Sequence, residues 1–367
     1  MPEYKSHHYV PQMYMRLFSR PGESRIGVYV IESGKFIPNS PIRGQACRDY
    51  FYGKDPRTEK AFGEIEGNAA KVLTAAVQHN RLPAPESQEH EWLIFYLGIQ
   101  HSRTVGAAAQ HNEGSEKVAK AVLRRKAELE GNTRILDALD RVRITRTNAV
   151  SEIVGYATIG ANLLADLTFV LLHNDSDTPF IASDTPVVLH NRLYEGQHIS
   201  VTGYANVGLQ LFLPLGPNLT LFGFDRVAYT VETNAEGHVR IADGAQIRLI
   251  NDLQWEAAHA VLLVAADMPL PELRARAAFW SSRRQAERTV FREEVVEQSD
   301  SEMRTRHGSG QAPSTISLDL SFVVVKPTKP TPLGRFEIPP FRDPDRVART
   351  DRAFMRLDAW NEQRRAQ

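Results

Sequence analysis

Two kinds of hydrophobic periodicity divide this chain, and the order in which they come restricts the fold more than any other feature. From Thr58, the residues Phe62, Ile65, Ala69, Val72, Leu73 and Val77 recur at three- and four-residue spacing, which predicts an amphipathic helix to about His79. Pro83 and Pro85 interrupt it, and Ser87, with Glu89 and Glu91 behind it, offers an N-cap for a second helix through Trp92, Phe95 and Ile99. Residues 115–147 are dense in charge of both signs and read as exposed helix. Residues 149–167 read as buried helix, although Gly155 and Gly160 each lower the propensity by about 1 kcal/mol. Beyond Leu167 come short apolar runs at 168–172, 180–182, 187–189, 209–213 and 219–224, punctuated by Gly, Pro, Asn and Asp. Helical patterning returns over 252–266 and 271–288. Helices and strands are grouped instead of alternating, which predicts an α+β fold: a largely helical N-terminal half packed on a mainly antiparallel sheet.

At 367 residues the chain is long enough to bury a substantial core, and residues 1–296 read as a single domain, helical over about 58–167 and strand-rich over about 168–250. Ahead of the helices, Pro11 to Phe18 predicts a short helix, and Ile26 to Ile31 with Lys35 to Ile37, joined through Ser33-Gly34, predict a hairpin. Residues 297–315 are polar, rich in Ser, Gly and Gln, and are expected to form a mobile segment. Residues 316–367 read as a strand over Ile316 to Val325, a Pro-rich extended stretch over Lys326 to Pro332, and a charged helix from Arg342.

Composition removes several function classes. Lys plus Arg and Asp plus Glu both number 44, so no global field draws the molecule to nucleic acid or an anionic membrane, and a polyanion site has to be a local patch. Cys47 is the sole cysteine, which excludes an internal disulfide and a Cys-cluster zinc site and predicts a reducing, cytoplasmic compartment. The most apolar window, Ala257 to Ala266, contains His259 and is about half the ~20 residues a bilayer requires, so no membrane span is expected. Walker, dinucleotide-binding, His-Glu-x-x-His and zinc-finger patterns do not occur.

The residue types suited to chemistry lie far apart in sequence. His7 and His8 are adjacent, so in a strand they face opposite sides and only one can serve any shared site. Glu64 and Glu66 stand about 200° apart around their helix, which turns one inward and one to solvent, while Gln100 and Arg103 share a face. Ser183-Asp184-Thr185-Pro186 sits between two apolar strands, where Asp184 can bind a metal, orient a histidine or accept backbone N–H groups in a turn. Asn251-Asp252 precedes an apolar stretch, where helix capping is the default role.

The run His7-His8-Tyr9-Val10-Pro11-Gln12-x-Tyr14-x-Arg16-x-Phe18, together with Phe180-Ile181-Ala182-Ser183-Asp184-Thr185-Pro186, the Leu213-Pro214-Leu215-Gly216-Pro217 turn and Asn251, resembles the bacterial family called domain of unknown function 4238, over roughly residues 5–270. Met15 stands where that family usually has Leu, a volume-conserving change. The resemblance implies a cytoplasmic bacterial protein and marks His7, His8, Gln12, Tyr14, Glu64, Gln100, Arg103, Ser183, Asp184 and Asn251 as site candidates. Whether the protein is an enzyme stays open. One reading is a metal-dependent phosphodiesterase or nuclease, in which His7 or His8 with Glu64 and Asp184 holds a divalent ion, Arg103 meets a phosphate, and the metal set is His8, Glu64 and Asp184. A second is a non-catalytic sensor, in which Gln12, Tyr14, Gln100, Ser183 and Asn251 help to hold a nucleotide or small ligand and the C-terminal segment meets a protein partner. In a third, the N-terminal motif only staples the hairpin to the helical layer.

Overall fold

The computed structural model describes residues 5–147, 149–197, 201–284, 288–298, 303–327, 330, 332–334 and 336–365. The chain begins with strand Ser6–His8 (β1) and a single helical turn, Gln12–Met15 (α1), continued by a 3-10 turn at Arg16–Phe18. The hairpin Arg25–Val30 (β2) and Lys35–Pro41 (β3) follows, and then Cys47–Asp49 (β4). The helices are Pro56–His79 (α2), Gln88–Ser102 (α3), Val105–Leu129 (α4), Thr133–Leu139 (α5) and Ala149–Gly160 (α6). Strands Thr168–Asn174 (β5), Ala182–Ser183 (β6), Val188–His190 (β7), Gln210–Pro214 (β8), Leu219–Phe224 (β9), Tyr229–Val231 (β10) and Val239–Ile241 (β11) come next. Helix Gly244–Ala257 (α7), strand Val261–Val264 (β12), helix Leu270–Ser281 (α8), strands Thr289–Gln298 (β13), Met303–Gln311 (β14) and Val323–Val325 (β15), and helix Pro344–Arg365 (α9) complete the chain.

The helix starts follow the capping chemistry. Asp55 accepts from the N–H of Arg57 with Pro56 in the first turn of α2, and Ser87 and Thr104 cap α3 and α4 through the N–H groups of His90 and Ala107. The strands build a five-stranded sheet in the order β11-β5-β9-β8-β7 and a four-stranded sheet in the order β3-β2-β12-β6. Every pairing in them is antiparallel except β11 with β5. The fold is therefore α+β, as the grouping of elements predicted.

Both faces of the larger sheet are covered, which explains why β8 and β9 read as continuous apolar runs. Leu171, Leu211, Leu213 and Leu221 point into one core, shared with Tyr9, Tyr14 and Phe18 of the N-terminal motif and with Val72, Leu73, Leu93 and Leu97 of α2 and α3. Val170, Leu172, Phe212 and Phe222 point into a second core, with Ile247 and Trp255 of α7 and with Ile316, Leu318, Leu320 and Phe322.

Four expectations are corrected. Residues 258–266 do not continue α7; Val261–Val264 form β12, hydrogen-bonded between β2 and β6. An apolar run this short has no distinguishable period, and its β-branched and leucine side chains are buried on both faces. Residues 297–315 are not a polar linker, because β13 and β14 pair as a hairpin from Thr289 to Gln311 packed against α4; Ser299 to Glu302 lie outside the described residues. Asn251-Asp252 does not cap α7 but lies inside it, and the cap is Asp243, which accepts from the N–H of Ala245 at 2.8 Å. Of Ile316 to Val325 only Val323–Val325 is strand, although the whole stretch feeds the second core. Thr328, Lys329 and Thr331 of the Pro-rich stretch lie outside the described residues. Among the described residues no helix is long and apolar enough to cross a membrane.

Candidate functional site

Strand β1 pairs with β4 in the register His7 to Arg48, which turns His7 inward and leaves His8 half-buried on the other side. His7 accepts the N–H of Tyr52 at Nδ1 (3.2 Å) and stacks on the Tyr52 ring at 5.5 Å. His8 lies with Nε2 3.1 Å from the carbonyl of Arg43; a carbonyl only accepts, so Nε2 carries the proton. Burial lowers the pKa of His8, and the Arg43 carbonyl opposes that shift. The strand thus gives the two histidines different partners, as their adjacency required.

Around them lies a buried network. Arg103 is 1% exposed, with Nη2 2.8 Å from Glu66 Oε1 and its guanidinium 5.1 Å from the centre of the Phe62 ring. Its Nε donates to Gln100 Oε1 at 3.0 Å, and Gln100 Nε2 donates to the carbonyl of Tyr9, also at 3.0 Å. Glu66 is the inward glutamate of α2 and Glu64 the exposed one, so Glu64 is replaced in the network by its neighbour two positions on. Glu59, half-buried beside His7, has its pKa raised by burial, a shift that His7 opposes. Nothing in the one-dimensional pattern marks Glu59 or Tyr52; Tyr52 reaches the motif because β4, just before it, pairs with β1, and Glu59 reaches it from the first turn of α2.

Other candidates hold backbone. Tyr14, fully buried, donates its hydroxyl to the carbonyl of Pro214 at 2.7 Å. The same turn comes so close to the N-terminal helix that a Cβ on Gly216 (φ +131°) would stand 2.7 Å from the Leu17 carbonyl oxygen. Asn251 accepts the N–H of Ile181 at 3.0 Å and donates to the carbonyl of Pro179 at 2.9 Å. Ser183 donates to Gln254 Oε1 at 2.8 Å and accepts the N–H of Thr185 at 3.1 Å. Gln12 only approaches Arg16, with 3.5 Å between Oε1 and Nη2. Asp184 is 1% exposed and accepts the N–H groups of His259, Ala260 and Val261 at 2.7, 2.8 and 3.3 Å, which fixes the entry to β12.

His8, Glu64 and Asp184 therefore do not meet: Glu64 is on the solvent side of α2, and both Asp184 oxygens are held by backbone amides. Among the described residues no three His, Cys, Asp or Glu side chains form a group able to hold a metal ion.

Thr185 of the motif, with Val187 to Leu189, instead lines a cavity of ≈ 120 Å³, together with the start of α4, the end of α7, the end of α8 and the residues after it. By the roughly 10–15 Å³ that one water needs, it has room for several. Among the described residues, Arg283, Arg284 and Arg288 line it against one carboxylate, Glu256. That carboxylate is engaged by Ser314 Oγ at 2.6 Å and by the N–H of Thr315 at 2.7 Å. Arg284 and Arg288 also cap α7: Arg284 Nη2 bonds the carbonyl of Ala258 and that of His259 (3.1 Å), and Arg288 Nη1 bonds that of Ala257 (3.0 Å). Burial, followed by repulsion from Arg288, lowers the Arg284 pKa against the opposing field of Asp184, and burial lowers that of Arg288 against Asp184, Glu113 and Glu256. Thr185 Oγ1 is buried on the cavity wall and has no hydrogen-bond partner among the described residues. A Cβ on Gly106 in the first turn of α4 would come within 3.1 Å of it, so glycine keeps that approach open. Sequence reading passed over these arginines because a cation-rich stretch after a helix resembles a solvated surface until the chain turns back onto the end of α7.

His101, at the end of α3, also lines the cavity, and burial pushes its pKa down to about 4. Its ordinary value of about 6.5 applies when unfolded, so between pH 6.5 and 4 the unfolded chain binds the extra proton. Stability from this group is complete above pH 6.5 and is lost as pH falls toward 4, by up to about 3 kcal/mol. Urea unfolding at pH 7 and pH 4.5 is expected to show this fall, and His101→Phe to make it smaller; an unchanged slope in that variant would exclude His101 as a source.

Residues 6–267 match the family model described as protein of unknown function (DUF4238). No curated protein and no solved structure matches the chain.

Proposed function

The chain belongs to the DUF4238 family of proteins of unknown function, and we propose that it is a ligand-binding protein whose arginine-lined cavity takes a phosphate-bearing small molecule. The observation that carries this reading is the excess of cation over carboxylate on the cavity wall, three guanidiniums to one engaged glutamate among the described residues, in a partly desolvated space. A guanidinium presents five donors in a rigid fork that matches phosphate, and desolvation strengthens such charge-assisted bonds. The N–H of Gly106 in the first turn of α4, where Thr104 takes only that of Ala107, and the Thr185 hydroxyl, unpartnered among the described residues, add donors of the same polarity. The buried Arg103 and Asp184 serve this reading as positioning groups: one joins α3 to the N-terminal motif and the other holds the loop whose carbonyls seat Arg284.

Isothermal titration with inorganic phosphate and with adenosine monophosphate tests the reading. Arg283→Met, whose side chain lies 3.8 Å over the Phe279 ring, and the double variant Arg284→Met/Arg288→Met are each expected to weaken binding, by roughly 10- to 100-fold per lost charge-assisted contact. Arg283→Met guards against the alternative that the double variant merely frays the end of α7. Absence of binding to wild type at millimolar ligand, or affinity unchanged in both variants, overturns the proposal.

A further inference from the structure

The cavity contains one group that does not fit a site for bare anions. His101 Nδ1 lies 2.8 Å from the hydroxyl of Tyr204, and that hydroxyl also lies 3.2 Å from the carbonyl oxygen of Gly98 and is supported as an acceptor by the Ser102 side chain. The carbonyl can only accept, and the phenol has a single proton. If that proton went to His101, the Tyr204 and Gly98 oxygens would face each other as two acceptors. Giving it to Gly98 and letting Nδ1–H donate to Tyr204 makes both contacts favourable. The neutral ring then carries its lone pair at Nε2, and with the Nδ1 edge committed to Tyr204, the edge left to line the cavity is the one that bears Nε2. Besides the engaged Glu256, the wall thus presents several donors and a neutral acceptor whose tautomer Tyr204 sets.

We infer that the cavity reads a hydroxyl together with a phosphate: His101 Nε2 accepts a hydrogen bond from an alcohol of the ligand while the arginines hold its phosphate, so that the ligand is a hydroxylated phosphate monoester of the sugar phosphate or nucleoside monophosphate class. This rests on the phosphate reading above. The room beyond a single anion in the ≈ 120 Å³ cavity is in keeping with a ligand that has a body as well as a head. The low pKa that burial gives His101 keeps the ring an acceptor throughout the neutral range. A site with a buried acceptor also discriminates against analogues that lack the donor, because the acceptor is then left unpaired.

The probes are ribose 5-phosphate and methyl phosphate, which share a phosphate monoester and differ in hydroxyls, titrated into the full chain by calorimetry. Wild type is expected to bind ribose 5-phosphate about tenfold more tightly. His101→Phe is expected to bring it to the affinity of methyl phosphate and to leave methyl phosphate unchanged. Tyr204→Phe, which removes the acceptor of Nδ1–H and so frees the tautomer, is expected to reduce the preference too, and it decides the matter if His101→Phe does not fold. Long-range ¹H–¹⁵N spectra are expected to show His101 protonated at Nδ1 and bare at Nε2. Equal affinity for both probes that still depends on Arg283 overturns the hydroxyl inference and leaves phosphate binding standing. A preference that survives in both variants, or a proton at Nε2, overturns the role of His101. No binding of either probe overturns both readings.

Discussion

Replacing Arg103 by Met is expected to cost the fold about 3–5 kcal/mol, the range for breaking a buried ion pair by removing one partner. The guanidinium is enclosed by Glu66, Gln100 and Phe62, and its loss leaves Glu66, whose side chain is 27% exposed, without a countercharge and Gln100 without its donor. Gln100 in turn holds the carbonyl of Tyr9, so the loss reaches the N-terminal motif. Urea unfolding of Arg103→Met, Glu66→Leu and the double variant gives the coupling. The double variant is expected to be more stable than Arg103→Met, because an orphaned carboxylate costs more than a missing pair. If Arg103→Met unfolds within about 1 kcal/mol of wild type, the network is not what holds α2, α3 and β1 together.

Asp184→Ala is expected to be nearly as damaging. Three backbone amides, those of His259, Ala260 and Val261, lose their acceptor at the start of a strand buried between two others. At about 1–3 kcal/mol for each unsatisfied buried group, and with partial relief from entering water, a loss of roughly 3–5 kcal/mol follows. Asp184→Asn keeps one acceptor oxygen and is expected to lose about half as much. Amide hydrogen exchange locates the effect: protection is expected to fall first at residues 259–261, and a uniform change across the sheet instead would place the role of Asp184 elsewhere.

These expectations show which parts of the molecule were legible in one dimension. The helix at 56–79 was readable from Thr58 because Phe62, Ile65, Ala69, Val72 and Leu73 keep its period, whereas its start at Asp55 and Pro56 was not read and Val77 falls on the exposed side. Strands 210–214 and 219–224 were readable because a Pro-Gly turn bounds two apolar runs. Val261–Val264 was not, since a short run buried on both faces carries no period. The hairpin at 289–311 was hidden by its composition: it leans one side on α4 and leaves the other in water, so it needs few apolar residues. At the candidate site, the sequence marked His7, Arg103 and Asp184 as unusual and paired Arg103 with Gln100, but it grouped His7 and Asp184 with Glu64, and their other partners lie elsewhere. Those partners, Tyr52, Glu66 and the amides of 259–261, come from segments tens of residues away, and backbone amides leave no trace in side-chain identity.

The second core has a consequence for the order of events during synthesis. Phe222 lies in the middle of the large sheet, and one ring packed against it, Phe322 at 6.2 Å, is encoded roughly 100 residues later. Strand β10 likewise waits for its partner β15. At about 5–20 residues per second, the part of this face that Ile316 to Val323 cover waits roughly 5–20 s after the strands have emerged, while α7 arrives sooner. The first core needs nothing beyond Leu263, so it is complete well before the second, whose last members are Ile316 to Val323.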